Sequence, residues 1–411
     1  MGTLSSSLAL PIVLIVLLLP GCNHTGSGEL PVRYTKPVLD SCRFEQDHHY
    51  LITEPENIEA QQRLPLILVI DPHGDGRLAA EKFSEALVDI QAVIAGSEKI
   101  RNNYPDFESS LSHLENDVLA KYPADPEKVI IAGFSGGARM AYYYGMRHKV
   151  LGIIMLGAGP GQSFRESGSK RVCMVSGTRD FNFMEQYVPP FTGLYDDREY
   201  MADFFRGSHE WPHPENIYES VTYVLKETPD FPERIPVRIS EKMLMQYDSL
   251  LESNDLFFAG KALEKAWIFS QDHKQRAQIS KMIHDFENMP GWMNYNRKFE
   301  GNLQQELRMK QAYVDKLADP DTSWWKQEIK SLNQNILSCS DPVKEDFLFR
   351  LKGFIGIIFY SRISTMLQDD PHTTGLHHLM IIYELAEPES PDLVKFKRRM
   401  RQLPANAMRN P

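Results

Sequence analysis

Ser135, Asp180 and His209 have the residue types, and the order along the chain, that nucleophilic attack on a carbonyl needs. A serine hydroxyl is a poor nucleophile at neutral pH, so it requires a base within hydrogen-bond reach and an acid to orient that base. Ser135 stands in Val129 to Gly137, V-I-I-A-G-F-S-G-G, an apolar β-branched run that ends in a GxSxG turn and opens into a helical pattern from Ala138 to His148. A turn that sharp lifts the central side chain clear of the sheet and needs glycine where a Cβ would collide, a demand that Gly133, Gly136 and Gly137 meet. GxSxG alone also describes a glycine-rich turn in which the serine merely caps a helix. The strand before it and the helix after it favour a nucleophile.

The acid and the base follow downstream. Val172 to Gly177 reads as a strand that runs into Thr178-Arg179-Asp180, and Glu199 to Phe205 reads as a last strand followed by Arg206-Gly207-Ser208-His209-Glu210-Trp211-Pro212. In an open parallel sheet the reactive crevice lies outside the carboxyl ends of the strands, so Ser135, Asp180 and His209 should meet at one edge. Asp196, Asp197 and Asp203 also precede His209, but the first two fall in a polar turn and Asp203 falls inside a strand. A strand-end carboxylate is therefore preferred.

This order of serine, aspartate and histidine resembles that of the α/β-hydrolase family. The G-F-S-G-G turn, the G-T-R-D strand end and the G-S-H-E-W-P loop look most like small esterases of the dienelactone-hydrolase and polyhydroxyalkanoate-depolymerase type. They are also similar to the catalytic domains of prolyl-oligopeptidase-type peptidases. The resemblance covers Leu64 to Leu225. It implies an oxyanion hole: the first buried strand ends in Asp71-Pro72-His73-Gly74-Asp75-Gly76, and a backbone N–H near Gly74 or Asp75, with that of Gly136, would face the developing negative oxygen. His73 is then expected to shape that loop, and the Asp75 side chain has no assigned role. The implied chemistry proceeds through an acyl-enzyme and needs no metal or organic cofactor.

The elements that must position these residues are legible as apolar runs. Leu64 to Ile70, Ala92 to Ala95, Val129 to Ala132, Leu151 to Leu156 and Val172 to Ser176 are the patterns of strands buried on both faces, with His48 to Thr53 an early antiparallel strand. Amphipathic stretches at Leu78 to Leu87, Phe107 to Lys121 and Gly137 to His148 lie between them, so the expected fold class is α/β, a mostly parallel sheet with helices on both faces. After Pro229-Asp230-Phe231-Pro232 no useful β-type run appears. Three-to-four spacing of apolar residues predicts helices over Ile239 to Leu251, Leu256 to Phe269, Leu303 to Leu317, Trp324 to Ile336, Asp346 to Met366 and Gly375 to Leu385. The expected division is 1–21 signal peptide, 22–31 tether, 32–228 α/β-hydrolase domain and 236–411 all-α domain of helical hairpins. Ala259 to Ala266 and Ile381 to Pro388 resemble tetratricopeptide-type helices, though no fixed period emerges; stacked hairpins are the equal alternative.

The N-terminal segment makes a separate prediction. Leu8 to Leu19 is apolar and too short to span a bilayer, and it ends in Leu19-Pro20-Gly21-Cys22, which resembles the lipobox of bacterial lipoproteins. Acylation of Cys22 would place the chain outside the cytoplasm, lipid-anchored in the cell envelope; a secreted or periplasmic protein is the alternative. Cys42, Cys173 and Cys339 remain, an odd number that argues against a disulfide framework, with a Cys42 to Cys339 bridge left open and no CxxC spacing for a metal site. A net charge of −10 argues against a nucleic-acid partner.

The leading expectation is thus a membrane-tethered serine hydrolase acting on a small ester or acyl substrate. A serine peptidase is the second reading. The third is a helical scaffold that binds a protein partner beside a degenerate hydrolase domain. The short Leu156 to Arg171 connection leaves little room for a lid, which predicts a shallow, accessible site. Phe134, Phe181, Phe183, Tyr187 and Trp211 are candidates for lining an acyl pocket or for plain core.

Overall fold

A computed structural model describes residues 31–160, 170–187, 200–318, 321–369 and 375–401. The expected signal peptide, Cys22, most of the tether, Asp196 and Asp197 lie outside the described residues. From Val32 onward the chain forms one compact unit.

The α/β part is a single sheet of eight strands: β1 (Val38–Ser41), β2 (His49–Thr53), β3 (Leu64–Ile70), β4 (Val93–Ser97), β5 (Ala124–Phe134), β6 (Gly152–Leu156), β7 (Arg171–Gly177) and β8 (Tyr200–Phe205). Their order across the sheet is β1-β2-β4-β3-β5-β6-β7-β8. β2 runs antiparallel to β1 and β4, and every pairing from β4 to β8 is parallel. The continuous apolar runs follow from this: alternate side chains of one strand enter different cores, because successive Cβ atoms point to opposite faces. Ile67, Val69, Ile130 and Ala132 pack on one side with helices α1 (Gly76–Ala86) and α5 (Pro214–Leu225). Leu66, Leu68, Val129 and Ile131 pack on the other with α2 (Phe107–Lys121) and α3 (Gly136–Arg147). The one-turn helix α4 (Phe183–Tyr187) follows β7.

The rest of the described chain is helical: α6 (Arg234–Glu252), α7 (Leu256–Phe269), α8 (His273–Glu287), α9 (Pro290–Leu317), α10 (Thr322–Ser338), α11 (Pro342–Asp369), α12 (Leu376–Ala386) and α13 (Pro391–Arg401). It is not a free-standing module. Ile235, Ile239, Met243, Ala266 and Phe269 of α6 and α7 share one apolar core with Ile217 and Val221 of α5 and with the sheet. A buried ionic group ties the same layers: Lys265 of α7 lies 3.0 Å from Asp203 of β8 and 2.6 Å from Glu219 of α5. The distal helices α10 to α13 have their own core around Trp325, Phe347 and Phe359. β1, α4, α5, α8 and α13 are elements that the sequence patterns did not single out; α8 and α13 are polar along most of their length, with few buried positions to mark a period. Cys42, Cys173 and Cys339 are all free thiols, so the Cys42 to Cys339 bridge does not form. Among the described residues no helix is long and apolar enough to cross a membrane.

Candidate active site

Ser135 sits between β5 and α3 with φ 53° and ψ −118°, a left-handed conformation that is strained for a residue with a Cβ. The strain is held by the fold. Its N–H donates to Leu156 O at 2.7 Å, and the glycines around it have no room for a side chain. A Cβ at Gly133 would strike the Gly137 carbonyl, and one at Gly137 would strike Ile70 O of the neighbouring strand. The expected elbow glycines are thus required by close backbone approach between β3, β5 and α3.

Asp180 lies in the tight turn after β7, fully buried. Its N–H donates to Gly177 O at 3.0 Å, and its Oδ1 accepts from the Asn182 N–H at 2.8 Å, which leaves Oδ2 for one partner. That partner is His209, whose Nδ1 is 2.9 Å away. The other ring nitrogen, Nε2, is 2.8 Å from Ser135 Oγ. The loop after β8 brings the histidine here because it is sewn to the acid's turn: Thr178 N–H donates to Phe205 O and Arg179 N–H to Gly207 O, both at 2.9 Å. The imidazole is held between the rings of Phe134 and Phe181, at centroid distances of 5.0 and 4.3 Å. The structure therefore brings together the three residues singled out by type and order. Asp203, the other described candidate acid, is buried elsewhere, accepting from Asn216 Nδ2 at 2.8 Å and facing Lys265.

The turn that carries Gly74 and Asp75 folds around Asp71. The Gly74 N–H donates to Asp71 O at 3.1 Å, and the Asp75 N–H to Asp71 Oδ1 at 3.3 Å. His73 N–H also donates to that carboxylate, at 2.7 Å, and Pro72 has no N–H. Asp71 thus gathers the amides of the whole turn, and the Asp75 carboxylate caps α1 by accepting from Leu78 N–H at 2.8 Å. Burial opposes the charge on Asp71, but the His73 imidazole, its Nδ1 3.7 Å from Asp71 Oδ1, and the turn amides hold the carboxyl below the usual carboxylate range, and the carboxylate in turn raises the imidazole. Beside Gly136 stands a residue that motif reading missed: Asn102. A Cβ on Gly136 would collide with the Asn102 carboxamide, whose oxygen Oδ1 is the nearest atom and whose Nδ2 stands behind it at 3.2 Å. Asn102 N–H donates to Pro72 O at 2.8 Å, which pins its loop to the end of β3. No sequence signal could have found it, since a lone asparagine in a polar loop has no spacing to interpret.

The helical half supplies a wall that the short 156–171 connection does not. Ser135 and His209 open into a cavity of about 520 Å³ whose opposite wall is helical: Phe349, Lys352, Gly353, Gly356, Ile357 and Tyr360 of α11, Tyr383 of α12, and Glu387, Ser390 and Asp392 beyond it. The motif-bearing half has a short connection at 156–171, but the far half of the chain covers the site. Of the five aromatic candidates, Phe134 and Phe181 line this cavity, and Trp211 stacks on Phe134 at 5.1 Å. Phe183 and Tyr187 belong to a separate apolar cluster with Phe204, Phe257 and Phe299.

No family model matches the chain, and no curated protein does. Among solved structures it is similar to an acylaminoacyl peptidase from Pyrococcus horikoshii, with 12% identity over 47% of this chain and 41% of that one, at a TM-score of 0.34. It is similar to a feruloyl esterase module from Clostridium thermocellum, with 11% identity over 49% of this chain and 91% of that one, at 0.37. A Klebsiella pneumoniae protein assigned as a dienelactone hydrolase is similar at 13% identity over 48% of this chain and 100% of that one, at 0.32. The sheet order with its antiparallel β2, the strained turn between β5 and α3, and the placing of Asp180 after β7 and His209 after β8 are this chain's own features. By that topology the chain has the α/β-hydrolase fold, followed by an all-α region of helices.

Proposed function

We propose that this protein is a serine hydrolase that cleaves carboxylic esters through an acyl-enzyme. One observation carries the reading: His209 bridges Ser135 Oγ at 2.8 Å and Asp180 Oδ2 at 2.9 Å, on a turn whose strain exposes the serine. His209 Nε2 takes the hydroxyl proton as Ser135 attacks the carbonyl carbon, and Asp180 holds the proton on Nδ1 and stabilises the imidazolium. The negative oxygen of the tetrahedral intermediate is received by the Gly136 N–H and by Asn102 Nδ2, once the carboxamide, whose oxygen now faces Gly136, turns its amino group to the site. His209 then protonates the leaving group, and water repeats the sequence to free the acid.

The enzyme works outside the cytoplasm on this reading, tethered through an acylated Cys22. The support is the apolar Leu8 to Leu19 run and the Leu19-Pro20-Gly21-Cys22 sequence that follows it. Cys22→Ser should release the protein from the membrane fraction, and retention there refutes lipid anchoring.

A serine peptidase is the second reading, favoured by the helical wall of the cavity, which could admit extended substrates selectively. The test is labelling with a fluorophosphonate, comparing wild type with Ser135→Ala and His209→Ala. Only wild type should react, and an inert wild type refutes the hydrolase reading in favour of a scaffold. A panel of p-nitrophenyl esters and aminoacyl amides then separates esterase from peptidase; amide preference overturns the first choice.

A further inference from the structure

The helical half grips the turn that carries Asp180. Arg350 of α11, buried to 1% exposure, donates from Nη1 to Thr178 O at 2.7 Å. Lys310 of α9 donates from Nζ to Phe181 O, also at 2.7 Å. These two carbonyls flank Asp180, one on either side. Both cations converge on one carboxylate, the fully buried Glu306 of α9, whose Oε2 accepts from Arg350 Nε at 2.8 Å and whose Oε1 is 2.7 Å from Lys310 Nζ. The side chain next to the acid is taken as well: Arg179 donates to Asp346 Oδ1 at 2.7 Å and to Glu345 Oε2 at 2.6 Å, with its guanidinium over the Phe349 ring. Phe181, which lies against the His209 imidazole, is backed by Gly353 of α11, where a Cβ would sit 3.2 Å from the Phe181 ring.

Two features separate this arrangement from ordinary packing. Buried ion pairs cost desolvation that their attraction only just repays, so they are poor instruments of stability alone. Here two cations share a single carboxylate beside the turn of the buried Asp180, and burial pushes the Lys310 ammonium below its usual range. The surplus donors are directed at backbone carbonyls, groups that a turn between strand and helix cannot satisfy within itself. The result is a fixed position for the four consecutive peptide units from Thr178 to Asn182 around the acid.

We infer that Lys310 and Arg350, held by Glu306, are positioning residues that lock the Asp180 turn against His209, so that the helical half completes the catalytic geometry as well as walling the cavity. The inference rests on the serine hydrolase reading for its rates, but not for its structural test. A displacement of about 1 Å in a reacting group costs on the order of 100-fold in rate. In the full-length protein, Lys310→Met removes one hold and leaves Arg350 and Glu306 as a balanced pair, so folding should survive.

The expected result is a fall in kcat of at least tenfold, per serine titrated with fluorophosphonate, with KM within twofold of wild type. Amide hydrogen exchange in the peptide covering 178–183 should quicken. Lys310→Arg keeps a donor and should restore much of both. Should single variants fold poorly, the apolar triple variant Glu306→Leu, Lys310→Met and Arg350→Met removes the charges together and should show the same loosening. Lys242→Met, which breaks a surface pair with Glu215 away from the turn, should change neither readout. Unchanged exchange at 178–183 in folded Lys310→Met, whatever its rate, overturns the inference. Quickened exchange in a protein that takes no fluorophosphonate even as wild type retains the structural hold and refutes the hydrolase reading instead.

Discussion

Replacing Asn102 tests the proposed oxyanion site. The carboxamide lies against Gly136, lines the cavity with Ser135 and makes no hydrogen bond of its own among the described residues. It is exposed, so its loss should change stability by no more than about 0.5 kcal/mol. The amides of His73, Gly74 and Asp75 are all engaged by Asp71, so no nearby backbone donor stands ready to replace it. Removing one of two oxyanion donors from such a site costs about 3 kcal/mol of barrier, which corresponds to about 100-fold to 1,000-fold in kcat. The donor meets full negative charge only in the transition state, so KM should move little. Asn102→Asp should be worse than Asn102→Ala, because it sets a carboxylate of nearly the same shape beside the developing oxyanion. The assay is steady-state hydrolysis of a p-nitrophenyl ester, normalised by burst titration of the serine, with thermal unfolding as the control for folding. If Asn102→Ala keeps kcat/KM within threefold of wild type, the reasoning fails, and the turn at 72–75 must open to release an amide.

Three further outcomes follow from the same structure. Gly137→Ala should destabilise the fold by at least about 2 kcal/mol in denaturant unfolding, since its methyl group would press on the Ile70 carbonyl and β3 cannot retreat. Burial pushes the Glu219 carboxyl up to about 7, with Lys265 opposing and Asp203 reinforcing the shift. A folded-state value above the unfolded 4.5 means that the native state holds this proton more tightly; the stabilisation is full below about 4.5 and is lost as pH rises through about 7. Glu219→Gln should accordingly flatten the decline in stability between pH 5 and 8, and an unchanged slope refutes the assignment. Ending the chain at Phe231 should give insoluble protein, because it strips Ile235, Ile239, Met243, Ala266 and Phe269 from the core they share with α5; a soluble, cooperatively melting fragment would show that this core is dispensable.

Strand runs were readable because each buried strand is apolar on both faces, and that pattern survives without knowledge of its neighbours: Leu64–Ile70 is a strand over its whole expected span, and amphipathic spacing likewise marked Phe107–Lys121 as a helix. The nucleophile turn was readable because close backbone approach forces glycine at Gly133 and Gly137, and glycine spacing is written in the chain. Asp180 and His209 were readable by position, each a few residues past the end of an apolar run. The hold of Asp71 on the Gly74 and Asp75 amides was not readable, because a hydrogen bond to Asp71 leaves no mark on residue type.

The sequence by itself determined that a serine, an aspartate and a histidine would stand past the ends of three parallel strands, since local apolar periodicity sets the strands and chain order sets which loop bears which residue. Only the tertiary structure decided what surrounds them. Asn102 reaches Gly136, α11 closes over Ser135, and Lys310 and Arg350 seize the carbonyls beside Asp180 across more than a hundred residues of chain. Those contacts join side chains to a backbone whose hydrogen-bonding groups are identical at every position, so no spacing of residue types announces them. They exist only once the helices have packed.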